Sequence, residues 1–318
     1  MAKKTTTILL VVILAGLGLS CVPAGDKALQ GKISISGAWA LYPMALKWVE
    51  EYQKANPGIK IDVQAGGAGK GMADVLAGMV DIGMVSRDVH PAEVEKGALA
   101  LAVTKDAVVG TVSAANPLLK DILGRGAKRD GLIGLWITGA VTTWGQVIGT
   151  ADQTKVQVFT RSDACGAAET WAAYMGKRQE DLQGVGVYGD PGVADAVRRD
   201  PTAIGFNNVN FAYDAKTKKP IEGLAILPLD QNGNGTIDPG ENVYATRDRI
   251  CAAIADGTYP SPPARELYFV TKGVPASEVV KAFLRWVLTE GQTYVPETGY
   301  INLSQDKLKK GLTLLDGK

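Results

Sequence analysis

Histidine occurs once in the 318 residues, at position 90, and cysteine three times. A histidine-based catalytic set therefore has to use His90 itself. His90 stands ahead of Pro91, where proline opens a helix, so it reads as an exposed capping residue. Cys165 at a helix start with His90 as base is the one nucleophilic pairing available, and the weaker reading. No Gly-x-Ser-x-Gly elbow is present. Glu93 and Glu95 lie two apart on a predicted helix, and Glu50 and Glu51 are adjacent on another, so neither pair faces across a site. No enzyme is expected. The formal net charge of +1 supplies no long-range field for nucleic acid or another highly charged partner. Internal repeats and long low-complexity tracts are missing as well.

The N-terminus carries a pattern of its own. "MAKK" is basic, and "ILLVVILAGLGL" is apolar but short for a membrane span. "LGLSC" then places a small residue directly before Cys21. Residues 1–21 thus read as an export signal with a lipoprotein-type cleavage site, and 22–31 as a tether. Gly18 stands where a larger aliphatic residue is usual, which leaves ordinary secretion or an uncleaved anchor as alternatives. Several acyl chains on Cys21 would hold the protein at a membrane. Cys165 and Cys251 remain, as a pair or as two buried thiols; the second fits Cys165 better, because it opens a helix.

What is abundant is glycine, 38 residues, set between alternating strand and helix patterns. "KISIS" precedes the helical run "YPMALKWVEEYQKANPG". "IKIDVQA" precedes the turn "GGAGKG" and a helix "MADVLAGM", and "VDIGMVS" is the next strand. "ALALAVTKDAVVGTVSAANP" reads as two strands around Lys105-Asp106, crossing into a second region. There "VQVFTRS", "CGAAETWAAYMG", "VGVYGD", "PGVADAVRRDP" and "AIGFNN" repeat the alternation. "RDRICAAIADG" is a helix, "YPSPPARELYFVTKG" crosses back, and "SEVVKAFLRWVLTEGQTYV" is strongly amphipathic. The class is α/β with parallel strands. Trp48, Trp171 and Trp286 fall on the apolar faces of helices and are expected in the core.

Three stretches share a design in which a strand ends in small residues and a helix begins: "SGAWALYP", "AGGAGKG" and "TRSDACGAAETW". Helix starts expose unpaired N–H groups and a partial positive charge, and glycine lets a ligand approach them. Converging, the three would cradle an anion. Arg87 and Arg161 each follow a strand, at the edge where open α/β sheets take ligands, and a guanidinium suits an oxyanion. A structural ion pair is the alternative for each.

These stretches, together with "ITGAVTTWGQV", "AIGFNN" and "YPSPPARELYFVTKG", resemble in order and spacing the periplasmic phosphate-binding proteins of ABC transporters, over nearly the whole mature chain. The resemblance implies a two-lobed periplasmic-binding-protein fold of type II. Each lobe would be a mainly parallel sheet flanked by helices, with the ligand cleft between lobes. The lobes would be 32–104 plus 259–318, and 105–258. It implies a monomeric, exported receptor, in the periplasm or at the cell surface, that hands phosphate to an ABC permease. The ligand set carried over is Ala38, Trp39, Ala40, Ala68, Gly69, Ser86, Arg87, Arg161, Cys165 and Gly166.

The departures bear on the ligand. The family's hydroxyl-bearing residues are replaced by Ala38, Trp39 and Ala40 in the first turn and by Ala68 in the second. In the third, Cys165 and Ala167 flank Gly166. Each lost hydroxyl would forgo about 1.5–3 kcal/mol of charge-assisted hydrogen bonding if nothing replaced it. Two readings follow. Phosphate is held by backbone N–H groups and arginine, or the pocket is retuned for another oxyanion, a small organic acid or a phosphoester resting on Trp39. A cell-surface sensor or scavenger is the reading outside transport.

Finally, "DQNGNGTIDPGE" matches a twelve-residue calcium loop. Asp230, Asn232, Asn234, Thr236, Asp238 and Glu241 stand at the ligating positions, and Gly235 at the sharp turn. Calcium is therefore an expected cofactor, against the alternative of a polar turn. The preceding "GLAILPLD" reads as extended and a helix starts only near Arg247, so the loop lacks one flanking helix. A structural clip at 230–241 is expected rather than a sensor.

Overall fold

The structure, a computed structural model, describes residues 29–317. The expected leader with Cys21 and most of the tether lie outside the described residues. Among the described residues, nine strands form a mixed sheet: β1 Gly31–Gly37, β2 Ile59–Ala65, β3 Ile82–Val85, β4 Ala98–Ser113, β5 Gln157–Arg161, β6 Val185–Val187, β7 Ala203–Asn208, β8 Leu224–Leu227 and β9 Ala264–Lys272. Their order is β2-β1-β3-β9-β4-β7-β5-β6, with β8 also on β4.

Two expectations change here. The pairs of β1 with β2 and β3, and of β5 with β6 and β7, are parallel, but every pair made by β4 and β9 is antiparallel. A mainly parallel sheet is thus found only at the two ends. The second change is that 98–113 is one strand, with a register shift between Ala102 and Thr104. The charged pair does not break it. Lys105 Nζ donates to Ile254 O at 3.1 Å and Asp106 accepts from Arg265 Nε at 3.1 Å, so both charges are met without leaving the sheet. β4 uses its first part against β9 and its last part between β7 and β8.

A small third cluster gathers Val193, Ala194, Val197, Ala203 and Leu224, and the two larger apolar cores divide along the same strand. One gathers residues between Ile33 and Val103 and between Leu267 and Leu315; the other gathers residues between Ala107 and Ala264. The first is made from both ends of the chain. Helix Tyr42–Ala55 buries Met44, Ala45, Trp48, Val49 and Tyr52, and stops at Asn56, before Pro57 and Gly58. Helix Glu278–Leu288, capped by Ser277, buries Val280, Phe283, Leu284, Val287 and Leu288. The two helices meet through Tyr52 and Phe283, ring centroids 5.1 Å apart. Each of these large side chains contributes roughly 1.5–3 kcal/mol by leaving water. Trp48 and Trp171 are fully buried and Trp286 packs at the margin of the first core, as expected.

One helix starts earlier than its pattern suggests. Helix Ala68–Leu76 begins inside the glycine turn. Gly71 has to stay small there, since a Cβ would fall 2.8 Å from both Gly37 Cα and Ser36 O. The glycines of "GGAGKG" thus serve close packing of helix on strand, not only a turn.

Candidate anion site

The three strand-to-helix turns come together where the two cores face each other. In the second turn, Gly67 takes a φ of +92° and its helix starts at Ala68. Gly69 N–H donates to Ala164 O in the third turn at 3.1 Å. Ser86, at the end of β3, lies against Gly166. A Cβ on Gly166 would fall 2.5 Å from the Ser86 carbonyl carbon, and closer still to its oxygen and to Ser86 Oγ. The first turn holds Ala38 and Ala40, both buried, with Ala40 O accepting from Tyr300 O–H at 2.6 Å.

The backbone donors are not all free. Ala38 N–H donates to Met84 O at 2.9 Å, Gly69 N–H is committed to Ala164, and Cys165 N–H donates to Gln179 Oε1 at 3.0 Å. By contrast, Ala68 and Gly166 are the first residues of their helices, and their N–H groups have no acceptor among the described residues. These two, reinforced by their helix ends, are among the donors left for an anion; the N–H groups of Lys70 and Ala167, in the same first turns, also have no acceptor among the described residues.

Arg161 is more constrained than its place after a strand suggests. Its Nε and Nη2 donate to Asp163 at 2.8 and 2.6 Å, and Nη1 donates to Asp190 at 2.7 Å. Three of a guanidinium's five N–H groups are thereby used, leaving two. Asp190 also accepts from the N–H and the side-chain amide of Asn208, at 2.8 and 2.7 Å. Asn208 in turn bonds Arg265, which reaches Gly166 O at 2.6 Å and Asp106. Burial pushes the Asp106 carboxyl up to about 6, against the pull of Arg265. The network holds Arg161 and Arg265 against Asp106, Asp163 and Asp190, so it carries no surplus positive charge. Arginine alone cannot supply the attraction for an anion here. Sequence reading missed Gln179, Asp190, Asn208 and Arg265, which lie far away along the chain. Asp163, two residues from Arg161, was the one partner within reach of a local motif.

Arg87 and Trp39 also have partners. Arg87 makes a two-pronged pair with Glu93 at 2.9 and 2.7 Å, while Glu93 caps the helix that His90 opens. Arg87 lines a cavity of about 470 Å³ with Thr170, Arg265 and Tyr268, whose walls include neither Ala68, Arg161 nor Cys165. The structural ion pair, the alternative given for Arg87, is the arrangement found. The Trp39 ring meets Tyr42, Tyr188 and Phe211 edge-on.

Cys165 and Cys251 are both free thiols. Cys165 caps its helix by accepting from Ala168 N–H at 3.5 Å. Burial pushes the Cys165 thiol up to about 12, with Arg161 opposing, and burial does the same to Cys251. At pH 8 the thiolate is therefore a far smaller fraction than in an ordinary thiol. Alkylation of Cys165 in the native protein at pH 8 is accordingly expected to run at least a hundredfold slower than in urea, by peptide mass spectrometry, roughly as the thiolate fraction dictates. Comparable rates would show that the helix start activates the thiol.

In the 230–241 loop, Asp230 and Glu241 are buried. The Asp230 oxygens accept from Gly233 and Gly235 N–H at 2.7 and 2.8 Å, and Glu241 Oε1 accepts from Gln231 and Asn232 N–H at 2.9 and 3.2 Å. Asn232 and Asn234 both donate to Asp238, at 2.8 and 2.9 Å, and Thr236 bonds Asn234. Among the described residues, no three His, Cys, Asp or Glu side chains are grouped to hold a metal. Any cation here would depend on the asparagine, threonine and backbone oxygens as well. The segment ahead of the loop is β8, and a helix follows at Arg247–Asp256, as its sequence suggests.

Comparison with known proteins places this geometry. Residues 22–290 match the family model described as "PBP superfamily domain". The phosphate-binding protein PstS of Bacillus subtilis (strain 168) is 30% identical over 291 residues, 90% of this chain and 85% of that protein. PstS of Xylella fastidiosa (strain Temecula1 / ATCC 700964) is 25% identical over 91% of this chain and 86% of its own. A putative phosphate ABC transporter substrate-binding protein from Clostridium perfringens, solved with phosphate bound, superposes with a TM-score of 0.71 at 20% identity. That match covers 86% of this chain and 100% of the solved one. An ABC-type phosphate transport receptor from Vibrio cholerae gives 0.62 at 22% identity, over 85% and 100%.

Proposed function

The chain belongs to the phosphate-binding protein PstS family, with its PBP superfamily domain, and from that premise we propose that it is the extracytoplasmic phosphate receptor of an ABC importer. The two cores are then two lobes, 32–104 plus 259–318 and 105–258, except that Tyr259 and Ala264 pack into the second core, and the seam between the lobes is the cleft. One observation carries the reading. The unpaired N–H groups at Ala68 and Gly166 belong to opposite lobes and stand at turns that touch across the seam. A small anion held there would be enclosed by both, with bulk water excluded and its attraction to the helix starts strengthened. Ser86 Oγ and the two remaining N–H groups of Arg161 complete the donor set. The chemistry is binding and closure, with no covalent step.

Calorimetry of the mature protein against phosphate, sulfate, molybdate, tungstate and phosphonates tests this. Phosphate is expected to bind tightest. No phosphate heat at millimolar concentration would sink the assignment, and tighter binding of a phosphonate would favour the retuned pocket. We place the lipid anchor on Cys21: Cys21→Ser is expected to move the protein from the membrane fraction to the soluble one, and retention in membranes would refute the anchor.

The 230–241 loop is proposed as a calcium clip that fixes the return path out of the second lobe. Both ends of the loop are buried carboxylates, and six of its twelve positions carry oxygen-bearing side chains at the required spacing. Calcium at ten to a hundred times its dissociation constant would add about 1.4–2.7 kcal/mol of stability. Thermal melts with calcium and with a chelator are expected to differ by several degrees, about 2–4 °C per kcal/mol for a chain of this order. Glu241→Gln should remove the difference and leave phosphate affinity unchanged. Identical melts with and without calcium would leave a polar turn.

A further inference from the structure

Trp39 has a task that ligand contact does not describe. Its turn belongs to the first lobe, and Tyr42 of that lobe backs the ring edge-on at 6.4 Å. The partners on the other side, Tyr188 and Phe211, belong to the second lobe, at centroid distances of 6.2 and 6.3 Å and interplanar angles of 85° and 82°. The indole also lies over Gly189, where a Cβ would be 3.2 Å from Cε2 and Cζ2. Gly189 is a prepared seat: φ is +72°, and its N–H donates to Asp163 Oδ1 at 3.1 Å. Asp163 is itself clamped by Arg161. Indole Nε1 is buried without an acceptor. The ring is therefore held by shape and edge-to-face contact, at the expense of a donor that buried tryptophan usually satisfies.

We propose that Trp39 is a latch across the cleft, which stabilises the closed form through contacts between the lobes and so replaces binding strength that the missing cradle hydroxyls would have supplied. This rests on the reading of the protein as a receptor that closes on phosphate. Affinity in such a receptor is reduced by whatever fraction of molecules is not in the binding-competent form. A contact made only on closure raises that fraction without touching the ligand. With two aromatic partners across the seam, the effect amounts to roughly a factor of ten in affinity.

The test combines small-angle scattering with phosphate binding kinetics on the mature wild type, Trp39→Ala, Trp39→Phe and Tyr188→Ala. Trp39→Ala is expected to have a larger radius of gyration than wild type without ligand, and to recover the wild-type value at saturating phosphate. Its dissociation constant should rise roughly tenfold, mainly through faster release, because the latch acts after encounter. Trp39→Phe should keep most of the effect. Adding Tyr188→Ala to Trp39→Ala should change little further, since the partner contact is already gone. An unchanged ligand-free radius, or additive losses in the double variant, would overturn the latch. Tyr188 is exposed and outside both cores, so Tyr188→Ala tests the same contact should Trp39→Ala fail to fold. A wild type that binds no phosphate would defeat the ligand assignment alone, as the ligand-free radii still decide the latch.

Discussion

Gly166→Ala is expected to weaken phosphate binding by one to two orders of magnitude while leaving the melting temperature of the ligand-free protein nearly unchanged. The added methyl has nowhere to go when the lobes meet. It would sit 2.5 Å from the Ser86 carbonyl carbon, with the carbonyl oxygen and Oγ nearer still. Backbone on both sides makes relief by a side-chain rotation impossible. Overpacking of this kind costs about 1–3 kcal/mol, which converts to roughly 5- to 150-fold in affinity. The ligand-free protein is spared because it can relieve the clash by opening the seam, and because Gly166 does not use a positive φ. It is the first residue of helix Gly166–Tyr174, a place alanine occupies without strain. Calorimetry and thermal melts on the same preparation separate the two effects. A large loss of stability would show that Gly166 serves the fold rather than closure. Unaltered affinity would show that the Ser86–Gly166 contact is absent from the bound form.

Arg161→Met is expected to remove binding and to destabilise the protein by about 3–5 kcal/mol, the usual consequence of stranding a buried charge. The Arg161 and Asp190 side chains are fully buried and Asp163 is 5% exposed. Without the guanidinium, Asp163 would keep only the Gly189 N–H, and Asp190 only Asn207 and Asn208. Thermal melts should fall by roughly 10 °C. The double variant with Asp190→Asn should regain part of that stability, as one stranded charge is then gone, without regaining binding. Arg161→Lys should not substitute, because an ammonium cannot bridge two carboxylates in a fixed plane. A single variant that melts within a degree of wild type would mean that solvent reaches these carboxylates.

The pattern of the sequence carried the element types well, because the long helices repeat apolar residues every three or four positions and end at Asn-Pro-Gly or begin at Ser277. It failed where charge or glycine was taken as punctuation. Lys105 and Asp106 looked like a break, yet each is met by a partner more than a hundred residues away. The glycines of "GGAGKG" looked like a turn, yet they let a helix lie on β1. The site showed the same division. Its three turns were legible because small residues before a helix are a local signal. Which donors were free was not, since Met84, Ala164 and Gln179 take up N–H groups from distant stretches. Arg87 looked like a ligand contact because Glu93, six residues on, gives no sign in periodicity that it will fold back onto the guanidinium.

The unequal construction of the two cores also orders events in time. Residues 107–264 hold a whole core between them, and can collapse as soon as they have emerged. The other core has Ile33, Ile35 and Met44 at one end of the chain and Phe283, Leu284 and Leu315 at the other. A polypeptide emerging N-terminus first must keep its earliest apolar strands uncovered until its last helices arrive. The part made first is thus finished last, and a chain interrupted between residue 264 and the last helices would carry a complete second core beside an open, adhesive first one.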